Sequence, residues 1–317
     1  MPQFIRHLRL GLIRGLRGFV WLLKVLIPIS FLTMVLQASG ILGRLDFVLA
    51  PLMGGIHLPA EAALPLIIGM LTGIYGAIAA MAVLPLSQGH MILIAIFLLI
   101  SHALVQEGII QGRSGMPALK ATAVRLMASV ATVLAVAPFI DLTMGDAAAE
   151  TLAAGTGVPF LDACRQWALD MAWLSLKILA IITTLMVVLE LMKAYRINEY
   201  ALRLIRPLLR VLGLRETVGM IWLTAAIFGI SYGGAVIVEE ARAGNIPRGD
   251  LDRLHLSIGI NHAMVEDPAI FLSLGLPAFW LWVPRLLAAV VAVHFFAAFS
   301  RLRQVLFPPL REPHQSN

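Results

Sequence analysis

Long apolar stretches alternate with short charged segments along the sequence. A helix needs about 20 mostly apolar residues to cross the hydrocarbon core of a bilayer, and most of these stretches reach that length. They lie at residues 18–39, 62–86, 89–106, 118–140, 168–192, 217–238, 255–276 and 278–299. The pattern predicts an all-α, polytopic membrane protein.

The composition supports a lipid-embedded chain. Residues of the AVILMFWYC set make up 60% of the 317 residues and charged residues only 13%. A water-soluble fold cannot bury so many apolar side chains, whereas a membrane protein leaves them against lipid. The basic residues behind the net charge of +6 sit beside apolar stretches, where they set orientation, so we expect no nucleic-acid partner. The single Cys164 excludes an intrachain disulfide and a cysteine-rich metal cluster.

The two halves of the chain share a pattern of polar, proline and aromatic positions. The offset between matched residues rises only from 153 to 160, as short loop insertions would produce. The matched pairs are Lys24 with Lys177, Pro51 with Pro207, Tyr75 with Tyr232, His102 with His262, Pro117 with Pro277, and Arg125 with Arg285. We interpret the halves as two structural repeats.

Charges at matched positions predict how the repeats lie in the membrane. Segment 193–216 carries six Lys or Arg residues against two Glu, while its partner, segment 40–61, carries one Arg against one Asp and one Glu. Basic loops favour the cytoplasmic face, so equivalent loops are expected on opposite faces. This pattern is typical of inverted-topology repeats, the architecture of many secondary transporters. The basic termini are both expected in the cytoplasm, in a bacterial-type inner membrane.

We therefore divide the chain into five parts. These are a basic cytoplasmic N-terminus (1–17), a first repeat (18–140), an external linker (141–167), a second repeat (168–299) and a cytoplasmic tail (300–317). Each repeat contains four apolar stretches but must cross the membrane an odd number of times, so one stretch is left over. Re-entrant or broken helices resolve the surplus, and such backbone is tolerated at membrane depth only where protein or a water-filled cavity covers it.

Glycines mark one break in each repeat. The candidate break residues are Gly73 and Gly76 in the first repeat, and Gly229, Gly233 and Gly234 in the second. Glycine frees the backbone from helical geometry and lets a ligand approach, although small residues also serve close helix packing in membranes. Three side chains beside these glycines are candidate binding residues, namely Tyr75, Ser231 and Tyr232.

A second pair of segments carries ionisable groups. Residues 101–108 read SHALVQEG and residues 261–268 read NHAMVEDP. Ionisable groups within membrane segments are costly and suggest a functional site; the alternative is that Glu266 and Asp267 lie in a hydrated external loop. His262 and Glu266, four residues apart, would share one helical face, and Pro268 is expected to end that helix. The candidate binding residues are His102, Gln106, Glu107, Asn261, His262, Glu266 and Asp267.

Further charged residues are expected to pair with these groups. Arg125 and Arg285 lie inside the last helix of each repeat, where they would pair with carboxylates such as Glu107 or Glu266, bind an anionic substrate group, or reach the interface. Glu239 and Glu240 are either cation ligands or proton carriers that face the cavity, or surface charges on a helix that ends at Gly244.

The broken segments GMLTGIYGAIAAM and GISYGGAVIVEEA, each followed by SHALVQEG or NHAMVEDP, resemble the gate domain, also called the nucleoside-recognition domain. That domain occurs in nucleoside transporters, ferrous-iron permeases and spore-maturation membrane proteins. The resemblance implies two gate repeats and a transport function. Ferrous-iron permeases typically place cysteine in the gate break, where this sequence has Ser231 and Tyr232. Similarity to nucleoside carriers implies polar groups at the hairpin tips, which Gln106, Asn261 and Glu266 would supply.

We expect a transporter that moves a small solute or ion by alternating access, for which protons, sodium or a divalent metal are the candidate ions. No zinc-protease, phosphate-loop or dinucleotide-binding motif is present, so we expect neither an enzyme nor a resident cofactor. One alternative is a divalent-metal permease with His262 and Glu266 as ligands, because imidazole and carboxylate suit zinc, manganese or iron. Another is a membrane scaffold without transport. Self-association into a homo-oligomer stays open.

Overall fold

The computed structural model describes residues 2–143, 159–195, 197–242 and 246–306. Every regular element in these ranges is helical, with fourteen α-helices and four short 3-10 turns. The helices are α1 (Pro2–Ala38), α2 (Ile41–Gly54), α3 (Ala63–Thr72), α4 (Ile74–Met81), α5 (Gln88–Ser101), α6 (Leu104–Arg113), α7 (Ala118–Val136), α8 (Phe160–Ala194), α9 (Ile197–Val211), α10 (Gly219–Phe228), α11 (Ile230–Arg242), α12 (Arg248–Asn261), α13 (Glu266–Phe271) and α14 (Ala278–Leu306).

Within the described ranges, five helical segments are long and apolar enough to cross a membrane, so the prediction of an all-α membrane protein is confirmed. In four of them, one third or less of the most apolar stretch of 18 residues is buried inside the protein, and the remaining residues of that stretch are available to lipid. The fifth, formed by α5 and α6, is 83% buried and therefore lies inside the protein. The five segments are Phe4–Ala38, Gln88–Arg113, Ala118–Phe139, Phe160–Ala194 and Ala278–Leu302.

Helices α1 and α8 pack against each other along most of their length, in opposite directions. Gly15, near the start of α1, lies against the backbone of Thr183 in the second half of α8. Towards the other end of α1, the Trp167 indole of α8 donates to the Ser30 hydroxyl oxygen at 3.2 Å. Glycine at the contact lets the two backbones approach closely, which favours helix association in lipid.

Two glycines interrupt helices at matched places. Helix α3 gives way to α4 at Gly73, with φ 100°, and α10 gives way to α11 at Gly229, with φ 82°. These backbone angles are open to glycine and strained for other residues. The other three candidate break residues, Gly76, Gly233 and Gly234, lie inside α4 and α11. A Cβ atom on any of these three would overlap a neighbouring residue, so close packing is their role.

A second break occurs in each half and does not use glycine. Ala103 separates α5 from α6 with φ 44°, and Ala263 follows α12 with φ 45°. A left-handed conformation costs an alanine about 1–2 kcal/mol. Each break is held by a hydrogen bond to the preceding broken helix. Ala103 N–H donates to the Gly69 carbonyl at 2.9 Å, and Ala263 N–H donates to the Ala225 carbonyl at 3.0 Å.

The second break of the second half lies earlier than the sequence predicted. Helix α12 ends at Asn261, and Pro268 is the third residue of the next helix, α13. Proline is tolerated there because the amides of the first helical turn have no intrahelical partner to lose. His262 and Glu266 therefore do not share one helical face, and that prediction is wrong.

The centre of the structure lies along α5 and α12, the helices that lead into these second breaks. Residues 92–101 and 254–261 are buried without interruption, so these parts of both helices are covered on all sides. Helices α7 and α14 pack against both of them. The polar residues at the ends of α5 and α12 are thereby placed inside the protein.

Three helices extend beyond the predicted bounds of the two repeats. Helix α1 begins at Pro2, so the basic residues of the predicted N-terminal segment continue directly into the first span. Helix α8 begins at Phe160, inside the predicted linker, and residues 144–158 lie outside the described residues. Helix α14 runs to Leu306, and the rest of the predicted tail also lies outside them.

Adding a methyl group to Gly15 is expected to weaken the α1–α8 contact. In Gly15→Ala the new Cβ would lie 2.7 Å from the Thr183 Cα atom, which forces the helices apart. Overpacking of this kind costs about 1–3 kcal/mol, so the melting temperature in detergent should fall. The control is Gly18→Ala, whose Cβ would meet only an Ile182 methyl group at 3.8 Å. Equal melting temperatures for the two variants would contradict the predicted contact.

Candidate functional site

Two histidines, one from each half of the chain, meet inside the protein. His102 follows the last residue of α5, and His262 follows the last residue of α12. Their ring centroids are 5.0 Å apart, and their Nε2 atoms are 3.4 Å apart. Both side chains are buried, with 6% and 1% of their surface exposed. The two helix breaks thus bring two imidazoles into contact away from bulk water.

Backbone contacts fix the orientation of each ring. Nδ1 of His102 lies 2.8 Å from the Leu98 carbonyl oxygen, and Nδ1 of His262 lies 2.8 Å from the Ile258 carbonyl oxygen. A carbonyl oxygen only accepts hydrogen bonds, so Nδ1 carries the hydrogen in both rings. In a neutral ring, Nε2 then presents a lone pair, and the two lone pairs point into the same space.

Glu107 completes the centre from the first turn of α6. Its Oε1 atom lies 3.1 Å from Nε2 of His102 and 3.1 Å from Nε2 of His262. Its Oε2 atom forms an ion pair with Nη1 of Arg125 at 2.6 Å. Only 6% of the Glu107 surface is exposed. One carboxylate oxygen is therefore held by the guanidinium group while the other faces both histidines.

A second carboxylate approaches from the other half of the chain. Asp267 lies in the first turn of α13, and its Oδ2 atom is 3.5 Å from Nε2 of His102. Asp267 is buried, and its Oδ2 atom has no hydrogen-bond partner among the described residues. The centre thus contains two imidazoles and two carboxylates. We call His102, Glu107, His262 and Asp267 the central cluster.

The two buried arginines hold the helix ends that carry the histidines. Arg125 donates from Nε to the Ile100 carbonyl and from Nη2 to the His102 carbonyl, both at 2.8 Å. Arg285 makes the same two contacts with the carbonyls of Ile260 and His262. The last carbonyls of a helix lack intrahelical partners, and the planar guanidinium fork supplies them.

The predicted pairing of these arginines with carboxylates differs between the halves. Arg125 forms its ion pair with Glu107. Among the described residues, no carboxylate oxygen lies within ion-pair distance of Arg285, and its Nη1 atom has no hydrogen-bond partner. The main role of Arg285 is thus to satisfy backbone carbonyls at the break.

Glu266 contacts Tyr75, whereas its predicted place was beside His262. The Tyr75 hydroxyl, at the start of α4, donates to Oε1 of Glu266 at 2.5 Å. The Tyr75 ring in turn lies edge-on to Trp21 of α1, with 5.8 Å between centroids. This contact connects the second break of the second half to the first half of the chain, next to Asp267 of the central cluster.

The remaining candidates lie in varied surroundings. Gln106 is exposed, although it directly precedes Glu107. Asn261 is fully buried, and neither its amide nitrogen nor its amide oxygen has a hydrogen-bond partner among the described residues. Glu239 is exposed and Glu240 is half-buried on α11, which ends at Arg242. The side chains of Ser231 and Tyr232, and residue Gly244, lie outside the described part of the chain.

Sequence reasoning missed a set of polar contacts between the halves. The Gln111 side chain donates to the His255 carbonyl at 3.0 Å, and Nε2 of His255 lies 2.9 Å from the Ser114 carbonyl. Within the second half, the Trp282 indole donates to the Met264 carbonyl at 2.8 Å and supports the second break. The available signal was the presence of a glutamine and a histidine within mostly apolar segments.

Comparison with known proteins identifies the first half. Residues 19–136 match the family model named Gate, described as nucleoside recognition. These 118 residues of the first half are similar to a gate domain. The resemblance drawn from the broken segments is thereby confirmed. A relative in Bacillus subtilis (strain 168), named "Uncharacterized membrane protein YvoD", is 28% identical over 290 residues, which cover 89% of this chain and 91% of that protein. No solved structure matches the chain significantly.

Removal of the Arg285 guanidinium group is expected to destabilise the protein. Arg285→Leu leaves the carbonyls of Ile260 and His262 without their side-chain donor. Each buried carbonyl left unpaired costs about 1–3 kcal/mol, so the free energy of unfolding should fall by at least about 2 kcal/mol. Thermal melting in detergent measures the change. The control, Arg301→Leu, alters an exposed arginine of the same helix; an equal effect of both changes would refute the assigned role of Arg285.

Proposed function

We propose that this chain is a gate-type membrane transporter that moves a small solute or ion by alternating access. The observation that carries the proposal is the contact between His102 and His262, which brings the ends of two interrupted helices together in a buried polar centre. Interrupted helices whose ends converge on such a centre are typical of secondary transporters. The central cluster is then the binding site for the transported species.

Two observations support an inverted relation between the repeats. The matched helices α1 and α8 run antiparallel, as inversion in the membrane plane requires. The arginine contacts at the breaks are also repeated residue for residue, from Arg125 to the carbonyls of Ile100 and His102 and from Arg285 to those of Ile260 and His262. A pseudo-two-fold axis in the membrane plane relates two such halves and passes near the central cluster.

The charge distribution supports cytoplasmic termini in a bacterial-type plasma membrane. Arg14 of α1 pairs with Glu190 near the end of α8, so the basic N-terminus and the basic segment 193–216 emerge on the same face. Basic segments favour the cytoplasmic face, and these two agree with each other.

The contacts between the halves suggest how the protein moves. His262 touches Glu107, His102 touches Asp267, and Tyr75 binds Glu266, so each side chain contacts a group from the other half. Separation of the halves on one side of the centre would open these polar contacts to water on that side. A substrate that replaces them stabilises the transition between inward-facing and outward-facing states.

A central site predicts access from both sides of the membrane in turn. A single cysteine at position 102, made as His102→Cys in a Cys164→Ser background, should react with an impermeant thiol reagent both in right-side-out and in inside-out vesicles. The controls are Arg113→Cys and Ala278→Cys, at exposed positions beside equivalent loops. Each control should react in only one vesicle orientation, and the two should react in opposite orientations.

Three outcomes of this labelling would contradict the proposal. Reaction of position 102 from neither side would favour a scaffold over a transporter. Reaction from one side only would remove alternating access. Reaction of both loop controls in the same orientation would remove the inverted repeat.

A further inference from the structure

We propose that the central cluster binds a divalent transition-metal ion, with His102, His262 and Glu107 as ligands and Asp267 as the fourth donor. As a statement about cargo this rests on the proposed transport function, with the metal ion as the substrate. As a statement about binding it rests only on the geometry of the four side chains. The ligand set differs from the sequence-based expectation, because Glu107 replaces Glu266.

The donor atoms already have the spacing of a tetrahedral metal site. In such a site, metal–nitrogen and metal–oxygen bonds of about 2.0–2.1 Å place neighbouring donors about 3.3 Å apart. The two Nε2 atoms are 3.4 Å apart, and Oε1 of Glu107 lies 3.1 Å from each. The three atoms therefore have the spacing of one face of a tetrahedron, and these three ligands would hold an ion without a rearrangement of their backbone.

The convergence of three acceptors favours a cation. Both Nδ1 atoms carry hydrogen because they face the carbonyls of Leu98 and Ile258, so the Nε2 atoms of neutral rings and the Glu107 oxygen all present lone pairs. If one Nε2 atom carried a proton, it would donate a hydrogen bond in one of the three close contacts. The other contacts would still join two acceptor atoms without a hydrogen between them. A metal ion satisfies all three at once.

The surroundings match those of metal-binding histidines in proteins. Such histidines typically donate their other ring N–H to a carbonyl or carboxylate, which fixes the ring, and both rings do so here. The Arg125 guanidinium group holds Oε2 of Glu107 and leaves Oε1 as the free donor atom. Each of these three ligands is therefore oriented by a partner outside the cluster.

Asp267 provides an independent indication. Its Oδ2 atom is buried, lacks a hydrogen-bond partner among the described residues, and points towards His102 at 3.5 Å. A buried carboxylate oxygen without a partner is costly, and a metal ion would remove that cost. Asp267 lies outside the set of three whose donor atoms are all within 4.8 Å of one another, so its side chain or α13 must move to bring this oxygen to the open fourth position.

The donor types select the class of ion. Two imidazoles with carboxylates suit zinc, manganese, iron(II) or cobalt, whereas magnesium and calcium prefer oxygen ligands alone. The buried guanidinium groups of Arg125 and Arg285 add positive charge near the site and weaken its hold on a dication. That weakening suits a site that must release its ion after transport.

The test is metal binding to the purified full-length protein in detergent. Equilibrium dialysis with Zn²⁺, Mn²⁺ and Co²⁺ should detect one bound ion per chain, and Mg²⁺ at the same concentration should not compete. Glu107→Gln, His262→Ala and His102→Gln should each weaken binding at least tenfold. The matched control is Gln106→Ala, which changes the exposed neighbour of Glu107 and should bind as the unchanged protein does. Bound Co²⁺ should show the visible absorption of a tetrahedral nitrogen and oxygen site.

The outcomes separate this inference from the transport proposal. Absence of binding for all three ions, or binding that Glu107→Gln and the histidine variants leave unchanged, overturns the metal site. If position 102 is then still accessible from both membrane sides, the transport proposal stands without it. Binding that depends on the cluster supports the site, and uptake of the bound ion by proteoliposomes supports its role as cargo. Binding without uptake would overturn the role of the metal ion as cargo, while the metal-binding site in the central cluster would stand.

Discussion

A helix that breaks inside a membrane leaves carbonyl and amide groups without partners, and lipid supplies none. This protein interrupts four helical runs within its described residues, and polar contacts satisfy backbone groups at the two breaks that follow α5 and α12. Arg125 and Arg285 bind the carbonyls at the ends of α5 and α12. The amides of Ala103 and Ala263 donate to carbonyls of the other interrupted helices, at 2.9 Å and 3.0 Å. These contacts fix the positions of both helix ends.

The same contacts create the central cluster. Because α5 and α12 stop where the arginines hold them, His102 and His262 lie just past the last helical residues and point towards each other. Glu107 enters from the helix that begins after the first break, and Asp267 from the helix that begins after the second. Burial among apolar side chains removes water from the four groups, which strengthens electrostatic interactions between them. The contacts that satisfy the helix breaks therefore also create a buried polar centre.

The sequence predicted the parts of this site that depend on local pattern and internal repetition. Matched positions identified His102 with His262 and Arg125 with Arg285, and five of the eight apolar stretches correspond to the five candidate spans among the described residues. It misplaced the second break, because α12 ends where Arg285, 23 residues further along the chain, holds the His262 carbonyl. Such long-range contacts override the local effect of a proline. Glu266 pairs with Tyr75, which is 191 residues away along the chain. The spacing of neighbouring residues could not predict this pairing, because it depends on a long-range contact.

The central claim is that buried polar groups from the two halves contact each other directly. A double-mutant cycle on Glu107→Gln and His262→Gln, with the free energy of unfolding in detergent as the readout, measures that contact most directly. For groups 3.1 Å apart, the two changes should be non-additive by about 0.5–3 kcal/mol. Additivity within about 0.3 kcal/mol would mean that the halves do not meet at these residues, and would contradict the account.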